Sequence, residues 1–95
     1  MIVHLRQNGH QILICHGDGP QVGMIFNCFQ QAVETKAIAE PIGLYQAGAM
    51  AQGYIGLDLQ NAVKNVLIKN TMMSGVITLV SQTLVDRSDR AFLHP

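Results

Sequence analysis

The sequence of 95 residues contains no tryptophan, and only 5% of its residues are aromatic and 13% charged. Hydrophobic residues make up 48% of the chain. This excludes an intrinsically disordered chain, because such chains combine low hydrophobicity with high charge. The few aromatic side chains disfavour a surface on which bases stack. Six basic residues balance six acidic ones, so we do not expect a nucleic-acid partner.

Long apolar runs are also missing, since none approaches the roughly 20 residues that cross a bilayer. The first six residues lack the basic, apolar and small-residue order of a signal peptide. We therefore expect a cytoplasmic chain without a membrane partner, in which Cys15 and Cys28 are free thiols. The cysteines and the four histidines show no metal-binding spacing, so no metal site is predicted.

Hydrophobic periodicity and turn residues divide the chain into a series of short elements. Apolar positions recur at helical spacing in residues 20–36 and 43–70, and residues 1–8 read as the end of a helix that Gly9 stops. Residues 11–16 and 76–80 are apolar runs typical of buried parallel strands. Residues 82–85 extend the second strand or form a short ribbon, and residues 86–90 form a polar loop.

The resulting order of strand, helix, helix and strand predicts an α/β fold with parallel strands. Two strands are too few for a parallel sheet, whose edges and faces must all be covered. We therefore interpret residues 1–95 as a single partial domain with an incomplete sheet.

A glycine turn, Gly17-Asp18-Gly19, joins the first predicted strand to a helix that starts at Pro20. Glycines let the backbone approach a ligand, and the N-terminus of a helix attracts anions. The turn could therefore bind a phosphate or a carboxylate. The alternative is a tight connection in which Asp18 only caps the helix. His16 before it is more typical of a hydrogen-bonded structural residue than of a catalyst, and no catalytic residue is assigned.

Small residues form a stripe on the second long helix, where Ala49, Gly53, Gly56 and Gln60 follow at steps of four, three and four. Such a stripe lets another helix approach closely. It could serve packing within the chain, or a subunit interface with Tyr54 beside it.

Three strings together resemble bacterial carbamate kinases, members of the amino-acid kinase superfamily. The first runs from His16 to Met24, the second from Met50 to Ala62, and the third joins residues 78–86 to residues 89–95. The resemblance covers essentially the whole chain.

The resemblance implies a three-layer α/β/α sandwich, of which this chain would be the carbamate-binding, N-terminal half. Family members are usually homodimers that transfer phosphate between carbamoyl phosphate and ADP with magnesium, often in arginine breakdown. The turn formed by Gly17, Asp18 and Gly19 matches a family loop that reads Gly-Asn-Gly and holds the substrate anion. A dimer through the small-residue stripe of the second long helix, at Ala49, Gly53, Tyr54 and Gly56, would repeat the usual dimer of the family.

Several family features are expected outside these 95 residues: an opening strand with a Gly-Gly-Asn loop, a lysine, and the half that binds ATP or ADP. Asp18 stands where the family has asparagine, and His94 where it usually has asparagine. We therefore expect a fragment that binds no nucleotide or metal by itself and is inactive alone. It would pair with itself or with a complementary or full-length carbamate kinase chain. The alternatives are a non-catalytic remnant that only self-associates and a generic anion-binding α/β fragment.

Overall fold

Three α-helices form most of the protein in the computed structural model, which describes residues 1–94. Helix α1 spans Ile2–Gln7, α2 spans Gly19–Glu34 and α3 spans Leu44–Lys69. A single turn of 3₁₀ helix follows at Arg90–Phe92. These bounds confirm the three predicted helices to within two residues at each end. Pro95, the last residue of the third string, lies outside the described residues.

Local sequence signals explain where the helices begin and end. Gly9 has a φ of +82°, which confirms it as the left-handed residue that ends α1. Gly43 is the N-cap residue of α3, and its N–H donates a 2.7 Å hydrogen bond to Gln46 Oε1. Helices α2 and α3 are each followed by a left-handed residue that is not glycine, Lys36 with a φ of 59° and Thr71 with a φ of 56°.

The core of the described chain is small. Helices α1 and α2 both pack against α3, and α3 carries two alanines that are completely buried, Ala47 and Ala51. Leu67, also on α3, is 3% exposed. Alanines let helix axes approach closely but bury little apolar area each, so helix packing alone covers only part of the apolar surface.

The predicted α/β sandwich is wrong for the chain described here. Residues 11–16, 76–80 and 82–85 form no strand, and residues 1–94 contain no sheet. In this range no backbone-to-backbone hydrogen bond involves residues 11–17 or 75–85. The prediction also placed residues 11–16 in a buried strand, yet Leu13 is 84% exposed. Apolar, β-branched composition favours a strand, but only a hydrogen-bonded neighbour creates one, and these segments have none.

The helices are too short or too polar to cross a bilayer anywhere in residues 1–94.

Candidate functional site

The residues of the predicted glycine turn, Gly17, Asp18 and Gly19, lie at the start of α2. Asp18 is the N-cap residue and Gly19 the first residue of α2, with Pro20 in its first turn. Within residues 1–94 the backbone N–H groups of Gly19 and Gln21 have no hydrogen-bond acceptor. These donors and the positive end of the helix dipole face the same place, so the turn can accept an anion.

The two glycines of this turn are not required by backbone conformation. Neither Gly17 nor Gly19 has a positive φ, and a Cβ atom built on either would meet nothing within 4 Å. Any L-residue could therefore adopt these backbone angles in the chain as it stands. The free space beside both residues is where a bound group could lie against the backbone.

Asp18 caps α2 by position but not by its side chain. Its carbonyl oxygen accepts a 2.9 Å hydrogen bond from the Val22 N–H, while its carboxylate makes no capping bond. The half-buried carboxylate is thus free beside donors that favour anions, where it would repel another negative group. His16 is exposed, and its Nδ1 lies 3.2 Å from the Gly17 carbonyl oxygen.

A cleft of about 750 Å³ begins beside the turn and runs along α3. Two segments without regular structure line it, a first segment of residues 11–17 and a second segment of residues 75–85. One face of α3, Arg6 and Asp18 are also part of the lining. Arg6 is the cationic residue of this lining. Its guanidinium donates to the His10 carbonyl oxygen at 3.0 Å and to Ser74 Oγ at 3.1 Å, so it joins α1 to the start of the second segment.

One face of α3 holds that second segment through side-chain amides. Gln52 exchanges two hydrogen bonds with the backbone of Ser81: its Nε2 donates to the Ser81 carbonyl oxygen at 3.2 Å, and its Oε1 accepts from the Ser81 N–H at 2.8 Å. Thr78 Oγ1 donates to Gln60 Oε1 at 2.9 Å. Between the two glutamines, Gly56 is buried against Thr78.

Sequence reasoning missed this set of contacts. The signal that could have found it is the spacing of Gln52, Gly56 and Gln60, which follow one another at steps of four and so share one helix face. Two amides on either side of a glycine suit a backbone segment lying across the helix.

The small-residue stripe of α3 packs against the same chain at one of its glycines. Gly56 contacts Thr78 of the same chain, which is the packing that the sequence left open as one alternative. Ala49 and Gly53 are half-buried, a Cβ on Gly53 would meet nothing within 4 Å, and Tyr54 is 52% exposed. A subunit interface through Ala49, Gly53 and Tyr54 stays a prediction.

Metal-binding side chains are scattered. In residues 1–94 no three or more His, Cys, Asp or Glu residues come together in a way that could hold an ion. Cys15 and Cys28 are both free thiols and both exposed.

Proteins similar to this chain include carbamate kinases and carbamate kinase-like proteins. This chain is 45% identical over 94 residues to the carbamate kinase-like protein YqeA of Escherichia coli and 41% identical over 95 residues to the carbamate kinase of Pyrococcus furiosus. Each alignment covers 99% of this chain and 30% of the relative. No protein-family model matches the chain.

A solved structure, the carbamate kinase of Giardia lamblia bound to AMP-PNP, has a similar backbone over this stretch. It superimposes with a TM-score of 0.86 at 36% sequence identity, covering 99% of this chain and 32% of that one. The chain therefore spans about a third of the length of the proteins it matches.

Proposed function

Because this chain belongs to the carbamate kinase family over about a third of its relatives' length, we propose that it forms the carbamoyl-phosphate-binding part of a carbamate kinase. The observation that carries the proposal is the turn of Gly17, Asp18 and Gly19. It places the free N–H groups of Gly19 and Gln21 at the start of a 16-residue helix, beside an open cleft.

Anion binding at this turn would use the backbone and not a charged side chain. A helix N-terminus favours a negative group by roughly 0.3–1 kcal/mol when exposed. The Asp18 carboxylate opposes that attraction at close range, where two like charges repel. We therefore propose weak binding of the substrate phosphate by this chain, limited by Asp18.

Phosphoryl transfer depends on holding the reacting groups in line and on neutralising charge. The guanidinium of Arg6 in the cleft is already engaged by His10 and Ser74. The described residues offer no cluster that fits the magnesium implied by the family, so the proposal includes no step through that ion. With little charge to offer, the chain would be inactive alone and would need the nucleotide-binding part of a carbamate kinase.

A second function, self-association, is favoured by a different observation. Met50, Tyr54 and Leu57 of α3 lie at helical spacing and are 44%, 52% and 54% exposed. A homodimer that packs through these three side chains would cover them. Such a dimer, a cytoplasmic location and a role in arginine breakdown are all parts of the proposal.

A chimera tests the enzymatic proposal. These 95 residues would replace the matched 95 residues of the Pyrococcus furiosus carbamate kinase, and ATP formation from ADP and carbamoyl phosphate would be measured. We expect turnover by the chimera and none by the chain alone. A folded but inactive chimera that Asp18→Asn does not rescue would refute the substrate-binding role, and self-association would remain.

A further inference from the structure

Within residues 1–94 the hydroxyl group of Ser81 has no hydrogen-bond partner, although Ser81 lines the same cleft as Asp18 of the glycine turn. Gln52 binds both backbone groups of Ser81, the carbonyl oxygen at 3.2 Å and the N–H at 2.8 Å. Ser81 itself is exposed. Its backbone is thus held by one side chain, while Oγ stays free to donate to a bound molecule.

The second segment runs along α3 in the direction opposite to the helix. Thr78 bonds to Gln60. Ser81, three residues further along the chain, bonds to Gln52, which lies eight residues earlier in α3. Eight helical residues span about 12 Å, and three residues of extended chain span about 10 Å. This agreement indicates an extended chain over residues 78–81, with Ser81 toward the start of α3.

Arg6 fixes the other end of both segments. Its guanidinium donates to the His10 carbonyl oxygen and to Ser74 Oγ, so the residues that precede the two segments are bound to one side chain. Residues 11–16 then line the cleft without a gap. A segment that starts at one end of a cleft and lines it throughout finishes at the opposite end. The glycine turn, which follows residue 16, therefore shares with Ser81 the end of the cleft that lies away from Arg6.

The side chain of Gln52 is suited to holding Ser81 in this place. A carboxamide has an acceptor oxygen and a donor nitrogen, so it pairs with the N–H and the C=O of Ser81 as the backbone of a neighbouring strand would. Methionine is also long and unbranched but lacks both strong hydrogen-bonding groups. Gln52→Met therefore releases the backbone of Ser81 without leaving a large cavity.

The donors at this end of the cleft complement one another. The turn supplies the free N–H groups of Gly19 and Gln21, and the second segment supplies the Ser81 hydroxyl. A phosphate has several acceptor oxygens, so it can accept from both sides at once. We propose that Ser81 Oγ donates a hydrogen bond to the phosphate of a substrate held at the glycine turn, and that Gln52 is the positioning residue for Ser81. This proposal rests on the proposed function, which places a phosphate at the turn.

Titration of the 95-residue chain with carbamoyl phosphate tests the contact, followed by NMR at the backbone amides of Gly19 and Ser81. We expect both amides to shift with the same dissociation constant. Ser81→Ala should weaken binding about tenfold or more, because it removes a hydrogen bond to a charged group. Ser81→Thr keeps the hydroxyl and should bind nearly as well as the unchanged chain. The urea midpoint of Ser81→Ala should stay the same, since Oγ makes no bond within residues 1–94.

A double-mutant cycle tests the positioning role of Gln52. Gln52→Met should weaken binding several-fold by itself, and it should add no further loss to Ser81→Ala if it acts through the Ser81 hydroxyl. Gln60→Met is the matched control, because it removes the amide that holds Thr78 in the same segment, further from the turn. Both methionine variants should be less stable to urea, but only Gln52→Met should bind carbamoyl phosphate more weakly.

Equal affinities of Ser81→Ala and Ser81→Thr would overturn the contact with the phosphate. The positioning role fails if Gln52→Met weakens binding further in the Ser81→Ala chain, or if Gln60→Met weakens it as much. A shift at the Gly19 amide that does not depend on Ser81 would keep the proposed function and refute this inference alone. No shift at either amide would refute both. Binding that depends on Ser81, together with an inactive chimera, would keep this inference and refute the enzymatic role.

Discussion

Replacing Gly56 with alanine should push the Thr78 side chain away from α3. An alanine Cβ at this buried position would overlap Thr78 Cγ2 and lie 3.1 Å from its Oγ1 and 3.2 Å from its Cβ. Thr78 cannot move aside without weakening its 2.9 Å hydrogen bond to Gln60. The added methyl group therefore competes directly with the contact that holds the second segment.

The magnitudes decide the sign of this effect. Alanine in place of glycine inside a helix stabilises it by about 1 kcal/mol. Overpacking costs about 1–3 kcal/mol, and losing a partly buried hydrogen bond costs about 1 kcal/mol more. We expect the free energy of unfolding of Gly56→Ala to fall by about 1–3 kcal/mol, measured by urea titration of the helical circular dichroism.

Gly53 supplies the control, because it lies in the same helix and a Cβ there meets nothing within 4 Å. Gly53→Ala should raise stability by up to about 1 kcal/mol. Thr78→Ser removes the overlapping methyl group but keeps the hydroxyl, so it should recover most of the loss when combined with Gly56→Ala. The reasoning is refuted if Gly56→Ala is as stable as Gly53→Ala, or if Thr78→Ser recovers nothing.

Four further outcomes are expected. Thr71→Gly should stabilise the chain by about 1 kcal/mol in urea titrations, because a β-branched residue is strained at a φ of 56°. Hydrogen bonds from the Ser88 hydroxyl and N–H lower the pKa of Asp86, so these contacts persist above that pKa and weaken as pH falls through it; Ser88→Ala should raise the pKa seen by NMR titration. In the chimera, Asp18→Asn should tighten carbamoyl phosphate binding several-fold by calorimetry, since it removes a repulsive charge; unchanged affinity would show that the carboxylate points away. Gly53→Leu should shift sedimentation from dimer toward monomer if α3 forms the subunit interface.

Helix prediction succeeded because its signals are local. Gly9 after α1, Pro20 at the start of α2 and Gly43 before α3 each act within one turn of the helix they bound. Strand prediction failed at residues 11–16 and 76–80 because a strand depends on a neighbour that can be far away in the sequence. The two segments have the composition of strands, and within residues 1–94 nothing pairs with them.

The candidate site was predicted in part. Gly17, Asp18 and Gly19 lie at the start of α2 as predicted, but residues 11–16 before them form no strand. The free state of the Asp18 carboxylate could not be predicted, because capping is the more common role of an aspartate at that position. The contacts of Gln52 and Gln60 with residues 29 and 18 positions later depend on how the chain returns across α3, which no local pattern describes.

The sequence by itself determined the helices, their ends, the glycine turn and the carbamate kinase resemblance, because each of these depends on residues that are close together in the sequence. Only the tertiary structure decided that, within residues 1–94, the two apolar segments form no hydrogen bonds with other backbone groups. It also decided that Gly56 packs on Thr78 and that a cleft remains between the segments and α3. These features depend on which distant groups meet and which find no partner. Burial and hydrogen bonding require groups that are distant in the sequence to meet in the folded chain. A local sequence pattern can suggest that a residue is buried or paired, but it does not identify the partner.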